Sequence, residues 1–382
     1  QLQQNDLPGA TTTLEQANAR FPDNHEISIL LAQLHLRAGQ HDRVIAAMSR
    51  VLGRRGDLVQ PYLLMIDAAK AAGKLDALAD LFRQNIASNP SVSLLHHMLG
   101  LTLRQQNKPA EARTSLEKAA ELAPQFVPSL TELVGLDLAE GRNDAALERA
   151  KQFTERLPKA AVGPLLTAQV HHAAKRWPEA EAAATQALQL DRNQGSAYGV
   201  IADSFAARRS EPGISAAIEA FLAKFPAEQA AQRVAAQALV VVGAHERGRE
   251  LYEKILATSP NLVPVLNNLA NLHAEQLGQL DRALELGRKA RAAAPADPAV
   301  ADTLGWIHFR RKEYTEAAAL LEEAAKGLAG NPEVQFHLAM LRRTQGQNDA
   351  ALAALRAAAD AKVDFPGKEE AKRALAELEK TK

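Results

Sequence analysis

The chain has 382 residues, with 45 Lys and Arg against 45 Asp and Glu, 47% apolar residues, 4% aromatics and no cysteine. Zero net charge speaks against a nucleic-acid partner, which normally meets a basic excess or stripe. The lack of cysteine excludes disulfides, thiolate metal sites and a Cys nucleophile, and no apolar run approaches the roughly 18–20 residues of a membrane-spanning helix.

Prolines punctuate the chain at one interval. Pro90, Pro124 and Pro158 lie 34 residues apart, Pro22 lies 68 before Pro90, Pro226 lies 68 after Pro158, Pro260 follows at 34 and Pro295 at 35. A period of 34 predicts helix–turn–helix units stacked into a solenoid, in which length adds repeats rather than domains. The chain opens inside such a unit. Counting back from Pro22, Ala10, Leu14 and Ala17 take second-helix positions, so residues 1–22 read as the second half of a truncated repeat. Gln1 to Asn5 would be the tail of a first helix, which predicts a piece of a longer protein.

Residues 23–366 read as one continuous solenoid of about ten units. Ten positions after each proline mark stand Ala32, Ile66, Gly100, Val134, Ala168, Ala202, Ala236, Ala270, Gly305 and Ala339. Twelve residues later come Val44, Leu78, Ala112, Ala146, Ala180, Ile214, Gly248, Ala283 (after a one-residue insertion), Ala317 and Ala351. Small residues at these offsets let two antiparallel helices approach closely. Between them the inter-helix turn carries Gly39, Gly73, Gly141, Gly243, Gly278 and Gly346, placed to take a left-handed conformation past a helix end. Several positions depart from the pattern. Gly56, Arg192 and Ala329 stand where proline is expected, and Asn85, Phe153 and Phe221 are bulky where Ala is usual. Residues 367–382 read as a C-terminal capping helix, with Ala371, Leu375 and Leu378 facing back onto the stack.

The pattern resembles the tetratricopeptide repeat (TPR), most clearly from Ser93 to Pro124, through Leu99-Gly100, Ala112, Ala119 and Pro124, and again at Leu304-Gly305, Ala317 and Ala324. The resemblance covers nearly the whole chain. It implies an all-α, right-handed superhelical solenoid of antiparallel helix pairs, with about ten units, a half unit and the capping helix. It also implies a concave groove lined by positions 2, 5, 9 and 12 of each first helix. In the C-terminal third these include Arg233, Gln237, Asn267, Asn271, Asp302, Trp306, Phe309, Phe336, Met340 and Arg343. Asn and Gln can pair the backbone of an extended peptide. Aromatics with Arg favour binding hot spots, and one ring buries up to about 150–250 Å², worth at most about 4–6 kcal/mol. The competing reading is that Trp306 and Phe309 plug the contact between neighbouring units. Some relatives hold a terminal carboxylate with two Asn and three basic residues. Arg233, Gln237 and Asn268 match that clamp loosely, but Ala299 and Thr303 stand at its last two basic positions, which argues against it. At the other end Ile29, Leu36, Leu63, Leu94 and Leu101 predict a more apolar groove, suited to an amphipathic helix or a second copy of the chain.

No catalytic constellation is legible: there is no phosphate loop, no GxSxG elbow and no HExxH. The adjacent pairs His96-His97 and His171-His172 point about 100° apart on a helix and are poorly placed to share a metal. The expectation is a non-enzymatic scaffold with no cofactor or metal, binding a protein or peptide in its groove, with self-association as a further possibility. The stretch DTLGW from Asp302 and the ending DFPGKEEAKRAL resemble bacterial cell-envelope TPR proteins of exopolysaccharide export and PEP-CTERM-type sorting. That resemblance implies periplasmic residence, with an anchor or barrel on a missing part. The alternatives are a cytoplasmic protein, and a substrate-docking or regulatory region of a larger enzyme such as a glycosyltransferase, or of a transcriptional regulator.

Overall fold

The computed structural model describes residues 7–380, so the expectation for Gln1 to Asn5 lies outside the described residues. Among the described residues every regular element is an α-helix. The chain forms two compact halves, Gln1–Asp191 and Arg192–Lys382. The first contains α1 (Leu7–Arg20), α2 (His25–Arg37), α3 (His41–Leu52), α4 (Val59–Ala71), α5 (Leu75–Ser88), α6 (Ser93–Gln105), α7 (Pro109–Leu122), α8 (Val127–Ala139), α9 (Asn143–Arg156), α10 (Val162–Ala173) and α11 (Trp177–Leu190). The second contains α12 (Gly195–Ala207), α13 (Ile214–Lys224), α14 (Gln229–Val241), α15 (His245–Thr258), α16 (Val263–Glu275), α17 (Leu280–Ala293), α18 (Pro298–Arg310), α19 (Tyr314–Gly327), α20 (Pro332–Thr344), α21 (Asn348–Ala359) and α22 (Lys368–Lys380). Each half is a run of antiparallel helix pairs in which most even-numbered helices also touch the next even-numbered helix, as α2 touches α4 and α16 touches α18.

The proline interval has a direct structural meaning. Proline pushes the residue before it out of the helical region. Asn89, Ala123, Leu157, Phe225, Ser259 and Ala294, each preceding a marker proline, have φ between −139° and −129°. Asp191 and Leu328 adopt φ of −146° and −126° with no proline behind them. The departures at Arg192 and Ala329 therefore leave the chain path intact. The inter-helix glycines are all left-handed, with φ from 66° to 87°, and Asn107, Lys175 and Lys312 take the same conformation in repeats that lack glycine.

Helix pairs touch most extensively where both small positions are filled by Gly or Ala, as in α6/α7, α10/α11 and α18/α19. A Cβ on Gly100 would lie 2.6 Å from Leu116, and one on Gly305 would lie 2.9 Å from Leu321. Where Ile66 and Leu78 take these positions, α4 and α5 touch far less extensively. The largest departure is at α12 and α13. There Ile214 and Phe221 replace small residues, Ala202 is only half-buried, and the rings of Phe205 and Phe221 fill the gap with centroids 5.9 Å apart. Here the backbone of α12 lies against α14 more extensively than against α13.

Candidate site in the C-terminal half

Helices α14, α16, α18 and α20 form the wall of a cavity of about 1040 Å³. Two starts are fixed by side-chain caps beside a proline. Asp297 accepts from the Ala299 N–H at 2.9 Å, and Asn331 accepts from Glu333 and Val334 at 3.0 and 3.3 Å. The one-residue insertion falls in the turn after α16, where Gln279 N–H reaches back to His273 O at 2.8 Å. It leaves Glu275, the last residue of α16, facing α18.

Trp306 knits three helices together. Its ring is sandwiched between Phe309, one turn away at 4.8 Å and 11°, and His337 of α20 at 4.1 Å and 16°. Its Nε1 donates to Glu275 of α16 at 3.0 Å, and Arg310 pairs with the same carboxylate. Trp306 is 8% exposed and Phe336 is 2% exposed, so both rings are largely committed to packing while their edges line the cavity. Asp302 and His337 are buried together. Both carboxylate oxygens lie 3.0 Å from His337 Nδ1, which must be the donor because a carboxylate only accepts.

Of the residues singled out from sequence, Gln237, Asn271, Trp306, Phe309 and Phe336 line the large cavity. Asn267, Asn271, Asp302 and Trp306 line a smaller adjoining one of about 170 Å³. Arg233 lines neither. Arg343 and Met340 turn to the C-terminal helix: Arg343 donates to Glu377 at 2.6 Å, and Met340 packs into the apolar cluster that holds α22. Of the clamp candidates, Asn268 donates to Tyr252 Oη at 3.4 Å. Burial pushes the Tyr252 phenol up to about 12, so it stays neutral.

The remaining wall was not expected. Residues Asp364–Gly367, before α22, line the cavity, and Arg209, after α12, lines it too and pairs with Asp364 at 3.1 Å. Phe365 packs on Phe336 with centroids 6.3 Å apart. Gly367 has φ of 91°, and a Cβ there would lie 2.5 Å from the Phe336 ring, so glycine is required twice over. Lys368 donates to the carbonyls of Ala361 at 2.6 Å and Val363 at 3.1 Å, which fixes the bend. Glu333, at position 2 of its repeat on α20, also lines the cavity, as its repeat position implies. Burial pushes its carboxyl above the usual range. His337 pulls it back, and Asp302 and Glu275 push it further up.

In the N-terminal half the apolar groove is narrower than its sequence predicts. Ile29 belongs to the core and Leu36, Leu94 and Leu101 pack half-buried against it, leaving Leu63 as the well-exposed member at 41%.

Three family models described as tetratricopeptide repeat match residues 1–68, residues 93–126, and residues 135–196 with 273–332, together more than half of the chain. The chain belongs to the tetratricopeptide-repeat family. The TPR repeat-containing protein PA4667 of Pseudomonas aeruginosa is 32% identical over 84 residues, which are 22% of this chain and 14% of that protein. Among solved structures, the yeast Tom70 crystal structure aligns over 98% of this chain and 86% of that one, at 15% identity and a TM-score of 0.48. The TPR match from 273 to 332 covers α17, α18 and α19, and so includes the helix that carries Trp306.

Proposed function

We propose that this TPR chain is a non-enzymatic scaffold that holds an extended segment of a protein partner in the cavity of its C-terminal half. The observation that carries this reading is a cavity of about 1040 Å³ whose wall presents the exposed amides of Gln237 and Asn271 beside aromatic edges. Amides offer a donor and an acceptor to a peptide backbone, and aromatic edges offer apolar contact without further ordering cost. The Asp302–His337 pair could orient a base, but the wall of the large cavity carries neither Ser nor Cys as a nucleophile. Binding therefore explains the site better than acyl transfer.

The reading is tested by selecting peptides from a display library on the full chain, then measuring them against a Gln237→Ala/Asn271→Ala variant. Both side chains are exposed, so the melting temperature should not move. Affinity should fall about tenfold, as expected for two lost hydrogen bonds. Selected peptides that bind the variant equally well would rule the cavity out.

Placement in an envelope complex rests on the DTLGW stretch and the DFPGKEEAKRAL ending. The structure supplies a folding reason for much of both, because Trp306 binds α16 and α20 together and Phe365 and Gly367 seat on Phe336. Residence in the periplasm is a proposal to be checked by fractionating the native cell: recovery of the protein in the cytosol would end it.

A further inference from the structure

We propose that the smaller cavity between α16, α18 and α20 receives the ammonium group of a lysine carried by the bound partner segment. This deepens the groove reading and rests on it. The cavity holds about 170 Å³, room for the head of one side chain. Its wall presents acceptors from three helices: Asn267 of α16, Asp302 of α18 and Glu333 of α20. The Asn267 Oδ1 atom is buried and has no hydrogen-bond partner, an expensive state for a polar atom.

Charge points the same way. Asp302 and Glu333 line this cavity and no Lys or Arg does. Asp302 already receives the His337 Nδ1 proton, and Glu275 nearby is matched by Arg310. Among the described residues Glu333 pairs with no Lys or Arg, and burial and its acidic neighbours hold its carboxyl above the usual range against the pull of His337. A bound cation would relieve both the unmatched charge and the orphaned amide oxygen.

Geometry selects lysine over arginine. Acceptors arriving from three helices suit an ammonium with three rotatable donors, whereas a planar guanidinium is matched by a single bidentate carboxylate. The two cavities share Asn271, Trp306, Glu333 and His337, so a lysine stem can run along the Trp306 edge from one into the other.

The test uses the full chain with Trp177→Phe, so that Trp306 is the remaining tryptophan. Its fluorescence is followed while adding a capped pentapeptide of alanines with one central lysine, and matched peptides carrying arginine or acetyl-lysine. The lysine peptide should saturate, acetyl-lysine should bind at least about tenfold more weakly, and arginine should fall between them. Glu333→Gln should abolish the preference for lysine without lowering the melting temperature, because it neutralises an unmatched carboxyl. Equal binding of the acetyl-lysine peptide, or an unchanged preference in Glu333→Gln, would overturn the lysine site while leaving the groove reading standing. Spermidine or Mg²⁺ displacing the lysine peptide at lower concentration would assign the cavity to a free cation and overturn it as well. No binding by any of these peptides, with display-selected peptides indifferent to Gln237→Ala/Asn271→Ala, would remove both readings.

Discussion

Asp137 is fully buried on α8, and three arginines converge on it. Arg113 reaches one oxygen at 2.8 Å, Arg142 the same oxygen at 3.0 Å and Arg149 the other at 2.9 Å. The network joins α7, α8 and α9 and is completed by Glu140 and Glu117. Removing the carboxylate leaves three cations facing one another, two of them largely sheltered. Asp137→Asn should therefore cost about 2–3 kcal/mol, read from the urea midpoint; a cost below about 0.5 kcal/mol would show that the arginines find other partners. His97 supplies a pH dependence in the same half. It is buried, hydrogen-bonded to Ser129 at 3.0 Å and packed edge-on against Phe126, and burial pushes its imidazole down to about 4. The unfolded chain holds that proton up to about 6.5, so between the two values the unfolded state binds more protons. Stability contributed by the neutral ring is present above about 6.5 and is lost as pH falls towards 4, by about 2–3 kcal/mol. His97→Gln should flatten this part of the urea-stability profile, and an unchanged pH slope would assign it elsewhere.

At the scale of the helix pair, two small residues per repeat set how closely the helices approach, and one left-handed residue sets the turn. These features were legible because each depends on residues close in sequence. The six turn glycines were read from the chain and all have positive φ. Lys175 and Lys312 were not read, because nothing in a lysine announces a left-handed backbone; the neighbouring helices impose it. A β-carbon there costs about 1–2 kcal/mol, partly offset by the greater freedom glycine would have in the unfolded chain. Lys175→Gly should stabilise the protein by about 0.5–1 kcal/mol in thermal or urea melts. A loss of stability would mean that the lysine stem contributes packing of its own. The series also located its own exception. Phe221, bulky where Ala is usual, marks the pair α12 and α13, where the Phe205 and Phe221 rings stand in place of a close helix contact.

At the scale of the whole molecule, stability in a repeat array approximates a sum of local terms, because each unit touches only its neighbours. Asp137 lies in the first compact half and Gly367 in the second. Gly367→Ala should destabilise the seat of α22 by about 2–4 kcal/mol, through a left-handed backbone and a clash with Phe336. Combined with Asp137→Asn, the two losses should add to within about 0.5 kcal/mol, and a larger coupling would show that the halves unfold as one body.

The sequence by itself determined the period, the helix pairs, the stop of those second helices that a marker proline follows, and the family. All of these follow from spacings within 34 residues that backbone sterics and small-residue packing enforce locally. It also placed Gln237, Asn271, Trp306, Phe309 and Phe336 on one wall, because repeat position fixes which way a side chain points. Only the tertiary structure decided what those rings do. Trp306 stacks on Phe309 of its own helix and on His337 of the next repeat, and the second contact exists only once the repeats are stacked. Only the tertiary structure added the segment before α22 to the cavity wall, since Arg209 and Asp364 meet across 155 residues and no periodicity relates them. Met340 and Arg343 hold α22 for the same reason: a segment outside the repeat lies over positions that the repeat pattern assigns to a groove.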